Sequence, residues 1–169
     1  MDPERLLLLR ATAIHEAGHA VAALLFGFTF GKVQIWTNNS GVVTTGDESS
    51  KPMVLTPEEA RRFAIVCAAG LAAEVRYLAL ADRNELDDWA RQGAQYDTAN
   101  LHKFAKIGNM SEHQSRAAAT ALVAHNWHGV VRMSEQLVRE RFLSARRLNH
   151  SQAARAAGRV KHTRQTRRC

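Results

Sequence analysis

Apolar positions recur along most of this chain at the spacing of an α-helix, with one short interruption of β character. Asp2 as N-cap, Pro3 at the first helical position and Glu4 in the first turn predict a helix that runs through Val21, Leu24 and Leu25 and stops near Gly27. Lys32 to Trp36 and Gly41 to Thr45 are β-rich, and the turn residues Asn38-Asn39-Ser40-Gly41 between them predict a hairpin. Asp47 to Pro52 reads as a polar loop.

Thr56-Pro57-Glu58-Glu59 is a strong helix start, and the apolar periodicity carries that helix through Phe63, Val66, Leu71 and Val75 to about Ala81. Its Cys67-Ala68-Ala69-Gly70 stretch is small enough to lie against another helix. Residues 82–92 read as a connection or a short helical turn, and a further helix follows Gly93-Ala94-Gln95-Tyr96-Asp97 to about Ile107. From Ser111 the positions Ala118, Leu122, Val123, Trp127, Val131, Leu137 and Val138 fit two helices, or one helix kinked near Gly129. Asn149 or Ser151 caps a short last helix ending at Gly158. The expected fold is therefore mostly α with a small β-hairpin, in one domain over residues 1–158 followed by a basic, structureless tail over 159–169.

Composition narrows the classes. The hydrophobic fraction of 46% and only three prolines describe a globular chain. The two cysteines, Cys67 in an apolar run and Cys169 at the end, support neither a disulfide framework nor a cysteine zinc site, so a reducing, cytoplasmic location is expected. No stretch approaches a charge-free membrane span, and the N-terminus lacks the pattern of a secretory signal. Five of the positive charges behind the net +7 lie in the last eleven residues, as Arg159, Lys161, Arg164, Arg167 and Arg168. Such a tail reads more simply as solvated than as a nucleic-acid site.

The stretch that carries chemistry is His15-Glu16-Ala17-Gly18-His19, an HExxH pattern inside the first helix. Residues four apart lie on one helical face, so His15 and His19 can share one metal ion. Glu16 is rotated by about 100° from His15, close enough to act as a base without occupying a coordination position. Gly18 costs about 1 kcal/mol relative to Ala in a helix interior, which points to a close approach at that turn. A core helix with two hydrogen-bonded histidines accounts for the same residues without chemistry.

A catalytic zinc site takes three protein ligands, so a third must come from elsewhere. His102, His113, His125, His128 and several carboxylates qualify on chemistry alone, and spacing does not choose among them.

His15-Glu16-Ala17-Gly18-His19-Ala20 resembles the HEAGHA signature of FtsH-type ATP-dependent zinc metalloproteases. Gly70-Leu71-Ala72-Ala73-Glu74 is similar to that family's small-residue helix, Gly93-Ala94-Gln95-Tyr96-Asp97 to its Gly-Ala-x-x-Asp motif, and Ala121 to Ala154 to its C-terminal helices. The motifs occur in family order over roughly residues 11 to 155. The resemblance implies a zincin-like helical peptidase domain with Zn²⁺ held by His15, His19 and Asp97 and with Glu16 as the catalytic base. Asp97 also has a plain reading, as the cap of a helix beginning at Thr98. Glu74 either orients a ligand imidazole from outside the ligand set or is a buried charge paired with an arginine.

The resemblance further implies a β-strand that holds an extended polypeptide substrate by backbone pairing. Val33, Gln34, Ile35 and Trp36 are the first candidates, and Val42 to Thr45 the second. It also implies assembly into a hexamer. The chain departs from the family in beginning its HExxH at residue 15 and in having no Gly-rich phosphate loop. The expected activity is thus an ATP-independent zinc peptidase for flexible or unfolded chains, with a separate unfoldase or adaptor as a possible partner. The alternative is an inactive zinc-binding interaction module.

Overall fold

The computed structural model describes residues 2–45 and 55–144. In chain order these form α1 (Pro3–Leu25), β1 (Phe30–Ile35), β2 (Gly41–Thr45), α2 (Pro57–Leu80), α3 (Asp87–Gly93), α4 (Gln95–Ile107), α5 (Glu112–His125), α6 (Trp127–Glu140) and β3 (Phe142–Ser144). A 3-10 turn at Asn84–Leu86 leads into α3. The fold is mostly α with one small antiparallel sheet, as the sequence pattern predicts.

Local chemistry starts both long helices. Asp2 accepts the Arg5 backbone N–H at the head of α1, and Pro3 occupies the first turn, where its missing N–H is no loss. At α2 the Thr56 hydroxyl accepts the Glu59 N–H while the Glu59 carboxylate accepts the Thr56 N–H, a complete capping box. α1 ends before Gly27, whose φ of 75° takes the chain out of the helix toward the sheet.

α1 is buried on every side from Ala11 to Ala23, because α2, α6 and the sheet surround it. The α1–α2 crossing is close at Gly18. A Cβ there would lie 2.6 Å from the Ala69 carbonyl oxygen and 2.8 Å from the Ala73 Cβ, which is the close approach the helix-interior glycine suggests. α2 also packs against α4 and α5 and is the helix most of the others touch. By length and composition it is apolar enough to cross a membrane, with Glu74 and Arg76 the only charges in its last 18 residues, and about 61% of its apolar window is buried inside the fold. The expectation that no stretch approaches a charge-free span is untouched, because every 18-residue stretch of α2 contains Glu74.

The sheet order is β2-β1-β3. Val33 stands opposite Val43 on one side and Leu143 on the other, and Val33, Ile35 and Leu143 turn into the core. The hairpin was legible in the sequence, whereas the third strand was not. In the C-terminal half two helices form, and the break falls at Asn126 instead of Gly129. Asn126 ends α5, caps α6 and donates its side-chain amide to the Leu122 carbonyl, while Gly129 lies inside α6. The Asp47–Pro52 loop, the helix ending at Gly158 and the 159–169 tail fall outside the described residues.

Candidate metal centre

His15 and His19 lie one turn apart on α1, both buried, and their ring nitrogens are sorted by what each faces. His15 Nδ1 is 2.7 Å from Glu74 Oε2, and His19 Nδ1 is 2.8 Å from the Val66 carbonyl oxygen. Both partners are acceptors, so both Nδ1 atoms carry the proton in this assignment. The two Nε2 atoms are then lone pairs, and they converge at 3.1 Å. Asp97 Oδ2, from the first turn of α4, lies 3.0 Å from His15 Nε2 and 3.3 Å from His19 Nε2.

Three acceptor atoms that close together repel one another unless a cation sits among them. Zinc bonded at about 2.0–2.1 Å in a tetrahedron sets its ligand atoms about 3.3–3.4 Å apart, close to the spacing observed. His15, His19 and Asp97 are also the one group of potential ligands that meets within reach of a single ion among the described residues. The donor set of two imidazoles and a carboxylate suits zinc and leaves one position open.

The electrostatics agree. Burial opposes a charge on His15, but the Asp97 and Glu74 carboxylates outweigh it and push the imidazole up to about 10. Asp97, although burial works the other way, is held well below the usual carboxylate range when the two imidazoles that face it carry protons at Nε2. The centre therefore favours positive charge, as a proton or as a metal ion.

Glu16 is buried beside the ligands, and burial lifts its carboxyl above the ordinary range against the pull of the two imidazoles. A carboxyl raised in this way holds a proton more readily than a free carboxylate does. Its place is set by β2: a Cβ on Gly41 would collide with the Glu16 carboxyl, so the first residue of that strand lies directly over that carboxyl.

Gly70 is a functional position that sequence reasoning assigned to helix packing alone. A Cβ there would strike His19 Nε2 and lie 2.7 Å from His15 Nε2, so α2 must present bare backbone to the ligand atoms. Its signal was present in the Cys67–Gly70 run, but the run does not say what approaches it.

The remaining expectations divide. Glu74 pairs with His15 and not with an arginine. Asp97 does not cap a helix beginning at Thr98, because α4 begins at Gln95 and Asp97 lies in its first turn. His102 is exposed and paired with Glu112, away from the centre, and His113, His125 and His128 are not part of it either. Val33 to Trp36 cannot serve as the substrate strand. β1 is the middle strand, with β2 on one edge and β3 on the other, and the Ile35 N–H already donates to the Arg141 carbonyl. The open edge beside the site belongs to β2 among the described residues, and Gly41 to Thr44 line the cavity above the metal ligands.

A family model described as Peptidase M50B-like matches residues 4–58. That stretch contains α1 with its HExxH and the hairpin above it, and it supports a metallopeptidase. It stops before Glu74 and Asp97, and it is not specific to the FtsH type that the motifs resemble. No curated protein matches the chain.

Proposed function

We propose that the chain is a zinc-dependent peptidase that hydrolyses extended or unfolded polypeptide segments. The observation that carries this reading is the convergence of His15 Nε2, His19 Nε2 and Asp97 Oδ2 within 3.0–3.3 Å, with both Nδ1 protons engaged elsewhere. The order of the motifs along the chain supports a relation to FtsH-type peptidase domains.

Zinc, when bound, supplies a Lewis acid for the scissile carbonyl and acidifies a water. Glu74 and the Val66 carbonyl hold the two imidazoles in the tautomer that frees Nε2. Glu16 accepts the proton of the attacking water and returns it to the leaving amine. The edge of β2 pairs with the substrate backbone and carries it past the base, whose carboxyl lies beneath Gly41. An inactive zinc module needs no base, so the presence of Glu16 at this place favours the enzyme.

The test compares the zinc-loaded full chain with Glu16→Gln on an unfolded protein substrate. The variant is expected to bind zinc as the parent does and to lose about 100-fold or more in cleavage rate. Equal cleavage by the two proteins would sink the assignment.

A further inference from the structure

A second concavity, of about 360 Å³, lies on the far side of α4 from the metal centre. Leu71 of α2, Arg91 of α3, Gln95 and Thr98 of α4 and Arg116 of α5 line it. Leu71 follows Gly70 in the chain and Thr98 follows Asp97, so the same two helices serve both places. At about 100° per residue, Gln95 and Thr98 project about 160° around α4 from Asp97, Asn100 and Phe104, which face the metal cavity. Bonds from the Ala94 N–H to the Ala90 carbonyl and from the Thr98 N–H to the Ala94 carbonyl carry the helical path across the α3–α4 junction and set Arg91 one turn before Gln95.

Two guanidinium groups share this concavity, and no carboxylate lines it. Arg91 makes no hydrogen bond or ion pair among the described residues, although Asp87 and Asp88 lie one turn earlier on its own helix. Arg116 has one distant partner, Glu112 at 3.8 Å, whose other oxygen is 2.6 Å from His102 Nδ1. The Gln95 amide and the Thr98 hydroxyl also have no partner among the described residues, so every polar side chain in the lining has a donor to give. Like charges brought to one partly enclosed place repel unless an anion lies between them.

We infer that this concavity is a binding site for a phosphate-class oxyanion, held between Arg91 and Arg116 with Gln95 and Thr98 as further donors. Two full positive charges match a dianion better than a carboxylate, and the guanidinium fork presents paired N–H groups to paired phosphate oxygens. The space holds more than one phosphate ion, and Leu71 gives it an apolar floor, so the ester group of a phosphorylated small molecule fits beside the ion. An occupant ties α3 and α5 to α4 behind Asp97 without entering the metal cavity.

Calorimetric titration of the purified full chain at constant ionic strength tests the site, with inorganic phosphate, phenyl phosphate and acetate as probes. Inorganic phosphate is expected to bind saturably, and acetate about tenfold or more weakly by comparison. Tighter binding of phenyl phosphate marks a phosphorylated small molecule as the occupant, and binding no tighter than that of inorganic phosphate marks the free ion; either result supports the site. Arg91→Ala and Arg116→Ala, each removing one charge-assisted pair, are expected to weaken phosphate about tenfold or more. Arg91→Lys, which keeps the charge and loses the fork, is expected to fall between parent and Arg91→Ala, and it decides the matter where an alanine variant does not fold. No saturable binding, acetate as tight as phosphate, or a phosphate affinity that the folded variants leave unmoved overturns the site; the last result would move the ion to the metal centre or to the basic residues 159–169.

Discussion

Glu74 Oε2 accepts the Nδ1 proton of His15 at 2.7 Å, across 59 residues of sequence and inside the buried α1–α2 interface. That bond fixes the tautomer of one metal ligand. Glu74→Ala leaves the imidazole free to turn and is expected to weaken zinc binding about 10–100-fold, read by competition with a chromophoric chelator. Unchanged affinity would show that packing alone orients His15.

Gly70→Ala sets two effects against each other. Alanine gains about 1 kcal/mol in helix propensity, but its Cβ would meet both Nε2 atoms, whose rings Glu74 and the Val66 carbonyl hold in place. Overpacking of that kind costs about 1–3 kcal/mol, so the clash wins. Lower stability in denaturant, together with loss of zinc, is the expected outcome.

Gly41→Ala separates the base from the ligands. The added carbon displaces the Glu16 carboxyl and leaves His15, His19 and Asp97 untouched. Zinc content is expected to stay near that of the parent while kcat falls about tenfold or more, a part of what a general base contributes.

Cys67 should be inert. With its thiol pushed up to about 12, chiefly by burial, the neutral form persists far above the range in which a free cysteine ionises. At about pH 8 its thiolate fraction is roughly a thousandfold lower than that of an unperturbed thiol. Iodoacetamide followed by peptide mapping is expected to leave Cys67 unmodified in the folded protein and to modify it in denaturant.

What the sequence disclosed follows from how local each signal is. Asp2, Pro3 and the Thr56–Glu59 box act within one helical turn, so both long helices began where the pattern placed them. The HExxH is likewise a one-turn signal. Asp97 is 82 residues from His15 and joins it only because α4 packs on α2; no spacing rule reaches that far, and the residue came from the family resemblance. β3 is three residues long and lies directly after α6, too short for alternation to register, yet it closes the second edge of β1 and leaves β2 as the open edge beside the site among the described residues. The Gly70 and Gly41 contacts are properties of tertiary approach, which a glycine in a sequence marks without naming its neighbour.

The most direct measurement is the zinc content and affinity of the purified full chain beside its Asp97→Ala and His19→Ala variants. One zinc per chain, with affinity reduced at least about tenfold in each variant, is the result these three converging ligands predict. A parent that takes up no zinc, or an Asp97→Ala protein that binds it as tightly as the parent, would contradict the metal centre.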